Sequence, residues 1–258
     1  MISFDIETAP ETDEVLERLL PPFQEPPHPG EFDPAAVKHG NTKDEEKKKT
    51  KEDAERAKHE VAVAEWEHEV VKGGLKHWED FVENATKSPT TGRILAIFYA
   101  SGKGSFCDDG SNGEGILPEI KLLNNFVSTG YQMLQDDRKM IGVNIFGFDL
   151  PFIVQRMWRH RINVPVWLLP ERWRYWNKNL FTDLREVFLL GRQWGQTKSS
   201  FGEMAGHFGT PGKPEGVTGA DFHKLYLSGD DDKKQQAIEY GLSDVVQPLE
   251  WAEAMGVS

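Results

Sequence analysis

Met1-Ile-Ser-Phe-Asp5-Ile-Glu7-Thr8-Ala9 opens the chain, and its reading decides how the remainder is organised. Met1–Ile6 has the apolar content of a short strand, and Asp5-Ile6-Glu7 lies at its end. Side chains alternate faces along a strand, so Asp5 and Glu7 share one. Two hard carboxylate oxygens side by side suit Mg2+ or Mn2+. The spacing alone is weak, because it recurs at Asp44–Glu46 and Asp53–Glu55. Those copies lie in a charged helical stretch, where residues two apart diverge. Only the first follows an apolar strand.

Outward from this strand, six prolines between Pro21 and Pro34 exclude a central strand or helix interior and predict a Pro-rich loop over 21–42. Residues 43–60 carry seven basic and seven acidic side chains. Several are spaced i,i+4 with the acid first (Asp44 and Lys48, Glu45 and Lys49, Glu52 and Arg56), as an exposed helix prefers. A heptad seam continues through Ala54, Ala57, Val61, Ala64, His68, Val71, Leu75, Trp78, Val82 and Ala85. A helical arm is therefore expected over 43–86, bent or broken at Gly73-Gly74, with its thin seam packed on the body or on a second helix.

Beyond a turn at 88–92, Arg93–Ala100 reads as a buried strand and Gly102–Gly104 as a hairpin leading into Ser105–Cys107. Ile116–Leu134 has helical spacing, Met140–Asn144 is a short strand, Leu150–Arg161 a helix, and Leu180–Leu184 a final strand. From Ser199 the pattern is helix and loop, interrupted at Thr210–Gly216. Strands early and helices late give an α/β or α+β class. With 258 residues, the expectation is one domain over 1–258, with the loop and the arm inserted within it.

The formal net charge is −12, which argues against a nucleic-acid coat along the whole chain. Residues 151–200 are the exception, with nine basic against three acidic residues and five of the eight tryptophans. Cations interleaved with aromatic rings suit a single-stranded nucleic acid, and a Trp-rich core with a basic rim is the rival explanation. Arg172-Trp173-Arg174-Tyr-Trp176 is the segment placed to grip a strand, and Lys213 in its Gly/Pro loop could reach a phosphate. No apolar run spans a bilayer, no secretory leader is recognisable, and Cys107 is the single cysteine. A soluble, cytoplasmic protein without membrane partners is expected.

Two further acidic elements stand out. Asp149, in Asn144-Ile-Phe-Gly-Phe148-Asp149, follows a strand and enters a helix, where an N-capping role competes with a functional one. Tyr240 and Asp244 share a face of an amphipathic helix at i,i+4, and Gly241 between them hints at a close approach. Asp183 reads as structural, as do His207 and His223.

Taken in order, Asp-x-Glu on strand one, Asn…Phe-Asp before a helix and Tyr-x3-Asp on a late helix resemble the DEDD 3′–5′ exonucleases of the DnaQ-like, ribonuclease-H-like superfamily. The tyrosine marks the DEDDy subtype; the histidine subtype would have His where this chain has Glu239. SFDIETA, RILAIFYAS, FDLPFIVQR, TDLREVF and EYGLSDV are most similar to stand-alone relatives of the family-B DNA polymerase proofreading domain. The charged arm falls outside this resemblance. It implies a mixed five-stranded sheet flanked by helices, and two divalent cations, Mg2+ or Mn2+, held by Asp5, Glu7, Asp149 and Asp244. It further implies that Tyr240 orients the attacking water and that Thr8, Asn144 and Phe148 sit near the terminal nucleotide. Arg172, Trp173, Arg174 and Trp176 are the substrate contacts suggested by composition. The expected reaction releases nucleoside 5′-monophosphates from a single-stranded DNA 3′ end. An exoribonuclease and a catalytically idle nucleic-acid-binding or scaffold module are the alternatives, and the arm could hold a protein partner.

Overall fold

The computed structural model describes residues 1–41, 43–111, 118–169, 180–190 and 199–257. These divide into two compact units, Met1–Leu16 with Asn84–Ser258, and Glu17–Glu83.

The first unit is built on a five-stranded sheet in the order β3-β2-β1-β4-β5. Its strands are β1 (Ile2–Pro10), β2 (Gly92–Ser101), β3 (Gly104–Asp108), β4 (Met140–Gly142) and β5 (Phe181–Asp183). The antiparallel half pairs β1 with β2 and β2 with β3, the latter through the short hairpin. The parallel half, β1–β4–β5, is reached through α3 (Pro118–Gln135) and α4 (Asp149–Arg159), because parallel neighbours need a crossover. This is the mixed, helix-flanked five-stranded sheet expected from the sequence. α5 (Leu184–Leu189), α6 (Phe201–Phe208), α7 (Gly219–Tyr226) and α8 (Asp231–Ala254) complete the unit, with α1 (Asp13–Leu19) following β1.

Alternation along β1 and β2 feeds a core on each side of the sheet. Phe4, Ile6, Ile97 and Tyr99 join α3 and α4 residues such as Phe126 and Phe152. Ala9, Ala96, Phe98 and Ala100 meet Phe222 of α7 and Tyr240 and Val245 of α8. The first side also carries a buried charge network. Arg156 donates to both Glu119 oxygens at 2.8 and 2.6 Å and to Glu11 at 2.8 Å, while Glu119 also accepts from the Ile94 N–H at 2.7 Å. Among the described residues no helix is long and apolar enough to cross a membrane.

The second unit is the Pro-rich segment with most of α2 (Glu45–Ala85), a helix about 60 Å long at 1.5 Å per residue. Two expectations are corrected here. The helix runs unbroken through Gly73-Gly74. At Gly73 a Cβ would lie 2.6 Å from the Phe23 ring, so the glycine serves to seat that ring against the helix. The face of α2 that the Pro-rich segment covers is also a different one from the heptad seam. Trp66 donates its indole N–H to the Pro26 carbonyl at 2.9 Å and His77 bonds the Pro21 carbonyl at 2.8 Å. His28 stands edge-on to Trp66 at 4.4 Å, and Phe32 lies against His59 at 5.8 Å. The Pro-rich segment is thus a strap along its own helix, while Val61, Val71 and Leu75 of the seam are 57%, 64% and 61% exposed. Ion pairs on the charged part include Glu45–Lys48 and Glu55–Lys58, both i,i+3.

Candidate active site

Asp5 and Glu7 leave β1 on one side of the sheet, opposite Phe98 and Ala96 of β2. α8 crosses that side. A Cβ at Gly241 would fall inside the Phe98 ring, so only glycine lets the helix come this close. The approach hinted at by Gly241 is therefore onto the residue paired with Asp5. One turn on, Asp244 reaches the β1 carboxylates. One oxygen from each of Asp5, Glu7 and Asp244 can be chosen with all three within 4.8 Å of one another.

Asp149 enters from the opposite half of the sheet. It is the first residue of α4, after the N-cap Phe148, and its Oδ1 accepts the Ile6 N–H at 3.0 Å. The bond ties it between the two β1 carboxylates along the strand. The loop that delivers it is held by Asp183, which accepts from the N–H groups of Asn144 (2.9 Å), Phe146 (3.0 Å) and Arg185 (2.9 Å). Asp183 thus has the structural part read for it in the sequence.

Crowding dominates the electrostatics. Desolvation, then the charges of Asp149, Asp244 and Glu7, push the Asp5 carboxyl well above its usual range. Burial and Asp244 do the same to Glu7. Burial outweighs the Ile6 hydrogen bond at Asp149 and lifts its carboxyl to about 7. Asp244 is raised by burial against the pull of Lys213, and its Oδ1 is buried without a hydrogen-bond partner. Three carboxylates with oxygens this close, an unpartnered oxygen on Asp244, and a fourth carboxylate beside them whose ionisation burial also opposes make a donor set that fits a divalent cation.

Lys213 lies closer to the chemistry than its loop position suggested. Its ammonium donates to the Tyr240 hydroxyl and to Asp244 Oδ2, both at 2.6 Å. Burial would lower its pKa, but Asp244 and Tyr240 outweigh that and raise it, so the side chain stays a cation. Tyr240 is pushed up to about 12, chiefly by burial and by Asp244. Gln247, not singled out from the sequence, holds the Lys213 loop: its amide accepts the Gly212 N–H at 2.8 Å and donates to the Gly212 carbonyl at 2.7 Å. The signal was present, since Gln247 follows Tyr240 and Asp244 on the same face of α8.

The other expected contacts are less gathered. Thr8 is buried beside a register shift in β1 and donates its hydroxyl to the Thr86 carbonyl at 2.8 Å. Asn144 has a left-handed backbone and its amide oxygen accepts from Arg185 at 3.0 Å. Phe148 packs on Phe152, with ring centroids 5.5 Å apart. Arg172, Trp173, Arg174 and Trp176 lie outside the described residues.

A family described as "Predicted 3′-5′ exonuclease related to the exonuclease domain of PolB" matches residues 111–249, more than half of the chain. The chain belongs to that family. The match to these PolB-related exonucleases includes Asp149, Tyr240 and Asp244; Asp5 and Glu7 precede it and join the set through the fold. Twenty-one (21) solved chains match. Among them is the family B DNA polymerase from the hyperthermophilic archaeon Pyrobaculum calidifontis, at 15% identity and a TM-score of 0.49, covering 67% of this chain. The chain spans 23% of that polymerase. The comparison with curated proteins finds no match.

Proposed function

We propose that this member of the PolB-related exonucleases is a metal-dependent DEDDy enzyme that removes nucleoside 5′-monophosphates from the 3′ end of single-stranded DNA. The observation that carries the reading is the convergence of Asp5, Glu7 and Asp244 oxygens within 4.8 Å, with Asp149 anchored beside them. Asp5, Glu7 and Asp244 would hold one divalent cation, Mg2+ or Mn2+, and Asp149 together with Asp5 a second. Cations held by these residues would supply a lowered pKa for a bound water and positive charge against the scissile phosphate and the leaving oxygen.

The protein's own groups do the rest. Tyr240, at about 12, is too weakly acidic to act as a base near neutral pH. Its oxygen accepts from Lys213, which leaves the phenolic proton to donate and so to orient an attacking water. Lys213 supplies a positive charge that offsets the carboxylates and opposes the burial that raises Asp244. The exonuclease chemistry would belong to one domain over 1–258, with the Pro-rich loop 21–42 and the helical arm 43–86 inserted within it. Cys107, whose thiol burial pushes up to about 12, has no nucleophilic part.

The test uses strands labelled at the 5′ end, one DNA and one RNA, with Mg2+ or Mn2+ and with a chelator control. The expected result is a metal-dependent ladder shortening from the 3′ end, faster on DNA and absent for Asp5→Ala. A faster RNA ladder replaces DNA as the substrate. No ladder on either, with binding retained, overturns the enzymatic reading in favour of a binding module.

A further inference from the structure

The strap leaves one face of α2 uncovered, and that face is patterned. Each strap-facing residue His59, Trp66 and Gly73 is followed two positions later by a seam residue, Val61, His68 and Leu75. Two positions are about 200° around a helix, so the seam lies opposite the strap. Val61, Val71 and Leu75 are more than half exposed, and Ala64 and His68 are exposed as well. An apolar stripe at heptad spacing of this length is the pattern of a two-stranded coiled coil.

Charge along one flank says what covers it. With the seam at the a and d positions, the e positions are Lys58, Glu65, Lys72 and Glu79, alternating in sign and all exposed. Two antiparallel copies bring e positions opposite e positions. When Ala64 faces Leu75 of the second copy and Val61 faces its Trp78, Lys58 meets Glu79 and Glu65 meets Lys72. Symmetry repeats both pairs, so all four contacts attract. Ala57 then faces Val82 and His68 faces Val71, while Ala54 falls opposite Ala85, which is already buried in its own chain. The other flank sets Glu67 against Gly74 and Glu60 against Phe81, with no like-charge contact. A slip of one heptad one way sets Lys58 on Lys72 and Glu65 on Glu65, offset only in part by Lys51 on Glu79, and a slip the other way sets Glu65 on Glu79 and Lys72 on Lys72. A parallel pair sets Asp53 on Lys58 and Glu67 on Lys72, which attract, but also brings Glu60 against Glu65 twice. The antiparallel register above is the arrangement with no like-charge contact on either flank, which is how such flanks choose partners. In the single chain Lys58 pairs with Glu55 of its own turn, an exposed contact that exchanges at little cost.

We propose that the arm is a homodimerisation element, in which the exposed seam of α2 pairs antiparallel with the same seam of a second copy. The assignment rests on α2 alone and is independent of the nuclease reading.

The full-length protein is tested by light scattering coupled to size exclusion and by sedimentation velocity. The wild type is expected to dimerise reversibly and to dissociate as salt rises. Two variants separate orientation from stickiness. Lys58→Glu with Lys72→Glu makes every e position acidic, and Glu65→Lys with Glu79→Lys makes every one basic. Each alone should raise the dissociation constant on the order of a hundredfold, four attractions having become repulsions. Their equimolar mixture should restore a dimer. Helix content by circular dichroism should hold, since all four side chains are exposed. A parallel pair would behave differently, because the basic variant would face Asp53, Glu60 and Glu67 and tighten. Tightening by that variant overturns the proposal, as does a wild type that is monomeric at high micromolar concentration, or a dimer unaffected by Leu75→Glu.

Discussion

Gly241→Ala is the sharpest probe of how the site is assembled. Alanine in a helix interior is worth about 1 kcal/mol over glycine, so on propensity alone the change stabilises α8. Here the added methyl would enter the Phe98 ring. Phe98 is fully buried and has Phe222 edge-on to it at 5.9 Å, so it has little room to retreat. Overpacking of this kind costs about 1–3 kcal/mol, and the upper half applies when neighbours cannot move. The net expectation is a loss of about 1–2 kcal/mol, or roughly 3–6 °C in a unit of this size. Chemical and thermal denaturation measure it. Cleavage should fall further than stability, because α8 is lifted at the point where Asp244 is brought to Asp5. Phe98→Leu supplies the control: with the ring gone, adding Gly241→Ala should recover the propensity gain of about 1 kcal/mol. A Gly241→Ala protein that is more stable than the wild type, or an effect equal in both backgrounds, refutes the close-approach argument.

Other outcomes are fixed by the same structure. Asp5→Asn should abolish cleavage yet stabilise the metal-free protein by about 1–2 kcal/mol near neutral pH, seen as a higher melting midpoint in chelator, because one of four crowded charges is removed. Asp149 carries a native pKa of about 7 against 3.8 for an ordinary aspartate, so the folded state binds its proton more tightly. Stability from this group is present below pH about 4 and lost as pH rises to about 7; Asp149→Asn should therefore gain on the wild type across that window in chelator, and excess Mg2+ should narrow the gap. Arg156→Met strands Glu119 and should cost about 3–5 kcal/mol by denaturation. Tyr240→Phe should slow cleavage while leaving divalent-cation binding by calorimetry largely intact, and an unchanged rate would remove its orienting part.

The parts of this protein legible in its sequence are those whose chemistry is local. Asp5 and Glu7 share a strand face within three residues, and Tyr240 and Asp244 share a helix face within five, so period alone pairs them. Asp149 is announced by the strand-to-helix junction that holds it. What stayed hidden depends on partners distant along the chain. Lys213 meets Tyr240 and Asp244 from a separate loop, and Gln247 holds that loop only because the fold brings Gly212 to it. Arg156, Glu119 and Glu11 form one network from three elements, with nothing in their own neighbourhoods to mark it. The arm misled for a different reason. α2 carries two usable faces, and a count of aliphatic residues finds the seam, whereas the strap is held by His59, Trp66, His77 and a glycine. Rings and a missing side chain, docked on prolines, leave no aliphatic periodicity.

Asp5 stands on β1 and Asp244 on α8, far apart along the chain. The three clustered oxygens therefore cannot exist on a growing chain until α8 has left the ribosome. A nascent or truncated product ending before Tyr240 would lack Tyr240 and Asp244, with Asp5, Glu7 and Asp149 alone unable to complete the pocket.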